Sequence, residues 1–295
     1  MHRKRTLNLI NVGPKKSTDE LTKDVCGAVL IWGGFNMPFI DVQVADNIGF
    51  ICLNNPGKRN ALSSELVDEI LQTFRDFKSR KIVAVILRAA EGCSVWSAGY
   101  DIKELPQGRR DPLGYGDPLE KLLRAVQRYP GPVIAMVHGS VWGGACDLVM
   151  TCDIVIGDET SSFAITPAKL ALPYNVSGVM HFISRLGLNI AKEMFFSADP
   201  ITAERAERVG ILNHLVPSDK LLEFTTNLAK LMATRSSLAI SVIKEQFNLL
   251  AGARAIAPDV FERIQGLRRQ VYDSHDYSEG IRSFLEKREP MFKGE

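Results

Sequence analysis

Residues 97–102 read Ser97-Ala98-Gly99-Tyr100-Asp101-Ile102, and residues 143–147 read Gly143-Gly144-Ala145-Cys146-Asp147. Each of these small-residue turns follows a run of apolar residues. Glycine permits a positive φ and a close approach of the backbone to a ligand, and the amides at the start of a helix have no partner within that helix. Two such turns can direct two backbone N–H groups at one oxygen atom, an arrangement that stabilises charge on a carbonyl during a reaction.

The runs before the turns predict the fold class. Residues 81–88, KIVAVILR, and residues 132–137, PVIAMV, have the continuous apolar pattern of strands buried on both faces of a mostly parallel sheet. A helix is expected over residues 64–77, with Leu66, Ile70, Phe74 and Phe77 on one face. Strands that alternate with amphipathic helices are typical of an α/β fold.

The sequence also predicts where two helices begin or end. The Gly143-Gly144 turn is expected to open a helix over residues 145–150, where Asp147 would suit the positive end of the helix dipole. Thr202 is an expected N-cap for a helix over residues 203–209, and Gly210 is its expected end. The chain after residue 189 is predicted to be mainly helical.

The composition indicates a globular enzyme and argues against several other classes. The chain has 295 residues, of which 45% are hydrophobic and 24% charged, so it can bury a large core. Its formal net charge of +2 and the lack of a basic stripe argue against a nucleic-acid partner. The five cysteines are odd in number and contain no C-x-x-C motif, which favours reduced thiols in the cytoplasm. The five histidines lack ligand spacing, so we expect each to be structural or exposed and predict no metal site.

Residues 1–36 are predicted to be an extension that is either disordered or translated from a start upstream of a true initiator at Met37. The apolar run over residues 26–35 is much shorter than the roughly 20 residues that a membrane-spanning helix needs. Asp19, Glu20 and Asp24 interrupt the pattern of an export signal. We therefore predict a cytoplasmic protein without a membrane partner.

Four motifs occur in an order that resembles the crotonase superfamily, also called the enoyl-CoA hydratase/isomerase family. The resemblance covers about residues 38–295, and the motifs lie at residues 54–63, 97–105, 143–147 and 276–288. It implies a crotonase fold, with a spiral core of repeated β-β-α units over residues 37–234. It also implies a C-terminal helical oligomerisation module over residues 235–295 that forms homotrimers, often paired as hexamers.

The resemblance further implies an acyl-CoA substrate and no separate cofactor, because coenzyme A is part of the substrate. Phe284 and Lys287 match family residues that complete the pocket, commonly from an adjoining subunit. Lysine and arginine suit phosphate recognition, although an exposed cation is more often simply solvated. The substrate-binding positions implied by the resemblance are Lys58, Arg59, Ala61, Ala98, Ile102, Lys103, Trp142, Phe284 and Lys287.

The catalytic positions depart from the hydratase pattern. Hydratases of the family carry a glutamate after the Gly-Gly turn and a second one after a later proline, and we match these positions to Asp147 and Tyr174. A tyrosine with an ordinary pKa of about 10 stays protonated at neutral pH and is a poor base for activating water. It can instead donate a hydrogen bond to an anionic acyl group. Asp147 is either a supporting residue of the site or only a partner of the helix dipole.

The residues around these positions favour one reaction. Residues 139–145 and 166–175 resemble family members that act on methylmalonyl-CoA. We therefore expect a carbon–carbon lyase that decarboxylates methylmalonyl-CoA to propionyl-CoA and CO2. In this hypothesis Tyr174 orients the carboxylate, and the N–H groups of Tyr100 and Gly144 hold the enolate oxygen in an oxyanion hole.

Two alternatives stay open. The first is another reaction of the family, namely enoyl-CoA hydration, isomerisation or thioester hydrolysis. Hydration would need a second carboxylate near Tyr174, and Glu104 is the only candidate that the sequence offers. The second is a catalytically silent oligomer that binds coenzyme A or nucleic acid.

Overall fold

The computed structural model describes residues 38–106, 110–251 and 256–295, so the predicted extension over residues 1–36 lies outside the described residues. Within these ranges the strands are β1 (Ile40–Ala45), β2 (Ile48–Leu53), β3 (Ala84–Ala89), β4 (Val95–Ser97), β5 (Val133–Val137), β6 (Ser140–Trp142), β7 (Ile154–Gly157), β8 (Ser162–Ala164), β9 (Ile201–Thr202) and β10 (His214–Leu215). The helices are α1 (Ser64–Ser79), α2 (Pro118–Arg128), α3 (Gly144–Thr151), α4 (Val176–Leu186), α5 (Leu188–Ser197), α6 (Ala203–Val209), α7 (Leu221–Ala233), α8 (Ser237–Ala251), α9 (Pro258–Tyr272) and α10 (His275–Glu286).

The strands form two sheets. The larger has the order β1-β2-β3-β5-β7-β10 and is parallel except for the β1–β2 pair. The smaller has the order β4-β6-β8-β9, with only β8–β9 antiparallel. Each of the pairs β3/β4, β5/β6 and β7/β8 gives one strand to each sheet and is followed by a helix. The predicted α/β fold with repeated β-β-α units is confirmed.

The buried strands agree with the apolar runs apart from one boundary. β5 is buried along its whole length. β3 begins at Ala84 and not at Lys81, because Lys81 has a φ of +56° and belongs to the turn that follows α1. A positive φ does not fit an extended strand. The apolar pattern therefore predicted the strand but not its first residue.

The predicted helices also form. α1 buries Leu66, Ile70, Phe74 and Phe77, as its spacing predicted, and the Ser63 hydroxyl oxygen accepts a hydrogen bond from the Leu66 amide. α6 begins after Thr202 and ends at Gly210, which has a φ of +86°. Both helices form where the sequence predicted them, but Thr202 is an N-cap by position only, since its side chain makes no capping hydrogen bond.

The final helices contact the rest of the chain through specific groups. Lys244 of α8 has its Nζ 2.7 Å from Oδ2 of Asp153, and it also donates to the carbonyl oxygens of Val126 and Gly131. α10 packs on the 3₁₀ turn Pro167–Leu170. The division of the chain at residues 234 and 235 stays a prediction. Among the described helices, none is long and apolar enough to cross a membrane.

Candidate active site

Two backbone amides meet where β4 and β6 end. These strands pair in parallel, so the turns that follow them lie side by side. A Cβ atom on Gly99 would lie 3.0 Å from the Gly144 nitrogen, and a Cβ atom on Gly144 would lie 3.4 Å from the Tyr100 nitrogen. Within the described ranges neither the Tyr100 N–H nor the Gly144 N–H has a hydrogen-bond acceptor. We refer to these two groups as the amide pair.

The first turn is held in place by buried polar groups. The Leu62 amide donates to the Gly99 carbonyl oxygen at 2.7 Å. The Ser97 hydroxyl accepts from the Gly99 amide and donates to the Asn60 carbonyl oxygen at 2.6 Å. Gly99 has a φ of +84°, and a Cβ atom there would overlap the Trp142 carbonyl oxygen. Only glycine satisfies both conditions.

The side chain of Tyr100 points away from its amide toward α2. Its hydroxyl donates to Oδ2 of Asp117 at 2.9 Å, and Oδ1 of Asp117 caps α2 by accepting from the Leu119 amide. Burial and the neighbouring carboxylate raise the pKa of Tyr100 well above its ordinary value. The phenol is therefore neutral, and it anchors the residue whose amide belongs to the pair.

The second half of the site is a group of three side chains, which we call the Tyr–Asp–His cluster. Asp147 lies in the first turn of α3 and its side chain is only 1% exposed. The Tyr174 hydroxyl donates to its Oδ2 at 2.8 Å, and Nδ1 of His181 lies 2.7 Å from its Oδ1. The Tyr174 hydroxyl, which we expected to donate to the acyl group of the substrate, thus donates to Asp147 in this structure.

Burial and the Asp147 charge set the protonation of this cluster. Burial raises the pKa of Tyr174 well above its ordinary value, and Asp147 raises it further. Burial acts to lower the pKa of His181, but the hydrogen bond and charge of Asp147, together with the charge of Glu120, outweigh it and raise that pKa. Tyr174 is therefore a neutral donor, and the pKa of His181 lies above its ordinary value.

The sequence analysis missed the contact of His181, which it treated only as structural or exposed. Part of a signal was available, since Gly178 and His181 lie three residues apart on one side of α4, which begins two residues after Tyr174. A Cβ atom on Gly178 would overlap the Tyr174 ring. The glycine therefore leaves room for the tyrosine beside α4.

The predicted substrate-binding residues divide into two groups. A cavity of about 330 Å³ lies between the small sheet, the turn Pro167–Leu170 and the end of α10. Five of the nine predicted residues line it: Arg59, Ala98, Ile102, Trp142 and Phe284. Lys169 and Arg288 also line it, and the sequence analysis did not select them.

The other four predicted residues do not line this cavity. Lys58 pairs with Asp101 at 3.6 Å, and Ala61 is buried. Lys103 and Lys287 are exposed. Phe284 reaches the cavity from its own chain, whereas the resemblance commonly assigns this position to an adjoining subunit, because here α10 folds back onto the Pro167–Leu170 turn.

Two other carboxylates of the region have partners of their own. Oε2 of Glu104 accepts from both the amide and the hydroxyl of Ser64 at the start of α1, at 2.8 and 2.6 Å. Glu120 accepts from Asn175 at 2.6 Å and from Ser177 at 3.1 Å. Glu104, the candidate for a second catalytic carboxylate, is thus engaged as a helix cap. No group of three or more potential metal ligands occurs in the part of the chain that the structure describes.

A model of the enoyl-CoA hydratase/isomerase family matches residues 43–295. The chain belongs to this family. Its fold is the crotonase fold. The structure of methylmalonyl-CoA decarboxylase in complex with 2-nitronate-propionyl-CoA superimposes on it with a TM-score of 0.86 at 46% identity, covering 87% of this chain and 99% of that one.

Curated members of the enoyl-CoA hydratase/isomerase family give two points of comparison. Methylmalonyl-CoA decarboxylase of Escherichia coli (strain K12) is 46% identical over 256 residues, which cover 87% of this chain and 98% of the relative. A probable mitochondrial enoyl-CoA hydratase of Dictyostelium discoideum is 32% identical over 246 residues, covering 83% and 87%. The family thus includes relatives with both kinds of named activity.

Proposed function

We propose that the protein decarboxylates methylmalonyl-CoA to propionyl-CoA and CO2 through a thioester enolate, without a separate cofactor. The 46% identity to methylmalonyl-CoA decarboxylase, over 98% of the length of that relative, supports this reaction. The observation that carries the proposal is the composition of the Tyr–Asp–His cluster: a phenol, and not a second carboxylate, faces Asp147 at 2.8 Å. A phenol with a raised pKa is a hydrogen-bond donor and a poor base for hydration.

The proposed step develops negative charge on the thioester oxygen. The bond between C2 and the carboxylate carbon breaks, its electron pair moves into the thioester carbonyl, and CO2 leaves. The amide pair fits the resulting enolate oxygen, because its two N–H groups are close together and have no acceptor within the described residues. Loss of one such donor typically costs about 3 kcal/mol, or roughly a hundredfold in rate. C2 then takes up a proton.

A neutral donor suits the carboxylate of this substrate. A fixed positive charge would stabilise the reactant carboxylate more than the transition state, in which that charge is leaving, and only a difference between the two accelerates the step. A hydrogen bond from Tyr174 would instead hold the breaking bond perpendicular to the thioester plane. Correct orientation of this kind is a large part of many rate accelerations.

The 330 Å³ cavity is our candidate for the coenzyme A site. Arg59, Lys169 and Arg288 are the cations of its lining, and cations suit phosphate groups. Arg288 also pairs with Glu279 and Glu286, and Lys169 lies 3.9 Å from Asp199. Ile102, Trp142 and Phe284 supply an apolar surface for the pantetheine chain. Lys58, Ala61, Lys103 and Lys287, which the resemblance also assigns to substrate binding, do not line this cavity.

The last helices support the proposed homotrimer or hexamer. On α8, the side chains of Leu238, Phe247 and Leu250 are 74%, 68% and 73% exposed. Val260 and Leu267 of α9 are also exposed. Large apolar side chains that are this exposed in a single chain would be covered by neighbouring subunits in an oligomer. Cytoplasmic localisation stays a prediction from the cysteine content.

Enoyl-CoA hydration is the second candidate, and one observation favours it. Asp147 and His181 form a carboxylate–imidazole pair, which can transfer protons, and a probable enoyl-CoA hydratase is 32% identical to the chain. Hydration would have to proceed with this pair alone, since Glu104 caps α1.

The test is to incubate the purified protein with methylmalonyl-CoA and, separately, with crotonyl-CoA, and to identify the products by mass spectrometry. We expect propionyl-CoA, and we expect Tyr174→Phe to lower its formation roughly a hundredfold because the carboxylate loses its orienting donor. Tyr129→Phe is the matched control, because it also removes a buried hydroxyl, one that donates to the Ile82 carbonyl oxygen away from the site.

Three other outcomes would contradict the proposal or the role of Tyr174. Hydration of crotonyl-CoA with methylmalonyl-CoA left intact would replace the decarboxylase proposal with the second candidate. No product from either substrate would favour a different acyl-CoA substrate or a non-catalytic oligomer. Equal losses in the Tyr174 and Tyr129 variants would mean that Tyr174 acts only through stability.

A further inference from the structure

A continuous hydrogen-bonded chain leads from Tyr174 to a second cavity. It runs from the Tyr174 hydroxyl through Asp147 to His181, whose Nε2 lies 3.0 Å from Nε2 of Gln127. His181 and Gln127 line a cavity of about 590 Å³ that includes neither Tyr100 nor Gly144. The His181 side chain is 17% exposed and that of Asp147 only 1%. His181 is therefore the member of the chain that can exchange a proton with solvent.

The number of hydrogens available along these hydrogen bonds conflicts with the role proposed for Tyr174. Tyr174 has a single hydroxyl hydrogen, and an ionised carboxylate only accepts hydrogen bonds. With Asp147 ionised, that hydrogen points at Oδ2, and the phenol presents its lone pairs to the acyl group. An anionic substrate carboxylate would then meet lone pairs instead of a donor.

One additional proton removes the conflict. If it binds Oδ2 of Asp147, the carboxyl group donates to the Tyr174 oxygen, and the tyrosine hydrogen is free for the acyl carboxylate. His181 determines which oxygen is protonated, because its Nδ1–H donates to Oδ1 and leaves Oδ2 for the proton. The alternative place for the same proton is Nε2 of His181, and a rotation of the Gln127 amide provides a partner for either state of the ring.

The charged groups around His181 favour retention of this proton. Asp147 faces it from α3 and Glu120 acts on it from α2, and both are negative. Arg124 of α2 and Arg185 of α4 line the same cavity. Arg124 pairs with Glu120 at 3.6 Å, and Arg185 donates to the carbonyl oxygens of Met150 and Cys152. The net effect is a raised pKa for His181.

We propose that His181 is a positioning residue that, through Asp147, directs the Tyr174 hydroxyl toward the acyl carboxylate when the Asp147–His181 pair holds one additional proton. This inference rests on the proposed decarboxylation. A bound anion favours the arrangement with the proton on Asp147, since two negative groups would otherwise flank the phenol. The active form is therefore the one with the extra proton.

The experiment is the pH dependence of kcat/KM for methylmalonyl-CoA from about pH 6 to 9, a range that extends above the ordinary histidine pKa of about 6.5. In the wild type we expect kcat/KM to fall about tenfold per pH unit above the pKa of the pair. Asp147→Asn supplies a permanent neutral donor, since its Oδ1 accepts from His181 and its Nδ2 faces Tyr174. We expect this variant to lose the fall at high pH.

A second variant tests His181 itself. His181→Asn keeps an N–H donor for Oδ1 but cannot take up a proton, so we expect the fall in kcat/KM to move to lower pH. His275→Asn is the matched control, because His275 also lies near a carboxylate, 3.5 Å from Asp276, at the start of α10. Its profile should equal that of the wild type.

Failure of this inference and failure of the proposed function give different results. A wild-type protein that forms no propionyl-CoA contradicts the proposed function. A wild type that decarboxylates but has no fall at high pH overturns the inference alone. The same is true if Asp147→Asn and His181→Asn both keep the wild-type profile.

Discussion

The amide pair lies in backbone turns that only glycine fits, whereas the Tyr–Asp–His cluster meets through side chains whose hydrogens can move. A Cβ atom on Gly99 would overlap the Trp142 carbonyl oxygen, so the first turn has one conformation. The Tyr174–Asp147 and Asp147–His181 contacts are 2.8 and 2.7 Å long, and a hydrogen bond of this length can form with the hydrogen on either partner. One half of the site is fixed by sterics, and in our proposal protonation sets the other.

This difference suits the two tasks that we propose. Donors for an enolate oxygen act best when they are oriented before the charge develops, because no reorganisation is then needed. A group that must hold a carboxylate and then release CO2 needs a neutral donor with a defined hydrogen position. The variants below separate the two halves, beginning with the fixed one.

Gly99→Ala should have the largest effect. The new methyl group would overlap the Trp142 carbonyl oxygen and lie 3.0 Å from the Gly144 nitrogen, so the two turns must separate. Loss of even one amide from the pair predicts a fall in kcat of roughly a hundredfold, or about 3 kcal/mol. The measurement is kcat for propionyl-CoA formation together with the melting temperature.

Gly92→Ala is the matched control for this variant. Gly92 has a φ of +80°, close to that of Gly99, but a Cβ atom there meets no atom within 4 Å. It therefore introduces the same backbone strain without moving the amide pair. If the two alanine variants lose kcat equally, the role of the amide pair is wrong.

The fixed half of the site is also the half that the sequence predicted. Buried strands and small-residue turns are local patterns, and the parallel pairing of β4 and β6 brings the two turns together. Tyr174 and Asp147 were predicted singly, but their 2.8 Å contact was not, because it depends on how α4 packs on α3. The direction of a hydroxyl hydrogen has no sequence pattern at all.

The 330 Å³ cavity, our candidate for the coenzyme A site, shows the same limit. Arg59, Ala98 and Trp142 lie in or beside the motifs that were recognised, and all three line it. Lys169 and Arg288 were missed, because each is one exposed cation among the 36 lysines and arginines of the chain. Only the packing of α10 on the Pro167–Leu170 turn brings these two side chains to one cavity.

Gly178→Ala tests the adjustable half without changing any of its polar groups. A Cβ atom on Gly178 would overlap the Tyr174 ring and lie 2.7 Å from its Cδ1 atom, so the ring must shift from its present position beside Asp147. We expect kcat to fall about tenfold or more, since small displacements of positioning groups are costly. The measurement is kcat/KM with its pH profile, which should flatten as the contact is lost.

Gly266→Ala is the corresponding control on α9, where a Cβ atom meets no atom within 4 Å. Alanine is the better helix former by about 1 kcal/mol, so this variant should be slightly more stable and equally active. An unchanged rate in Gly178→Ala would show that the position of the Tyr174 ring does not limit the reaction.

The smallest effect should appear in stability, without any substrate. The pKa of His181 is raised in the folded protein, because the hydrogen bond and charge of Asp147 outweigh the opposing effect of burial. The ordinary value, about 6.5, applies to the unfolded chain. A raised folded pKa gives a stabilisation that is complete below the unfolded value and disappears as the pH rises through the folded one.

The free energy of unfolding of the wild type should therefore exceed that of His181→Asn by more at about pH 5.5 than at about pH 9. Urea denaturation at the two pH values measures this difference, and groups common to both proteins cancel in it. His275→Asn provides the reference for a histidine outside the cluster. A difference that grows with pH would mean that His181 is neutral in the folded protein. The Asp147–His181 pair would then hold no additional proton, and the Tyr174 hydroxyl would keep pointing at Asp147.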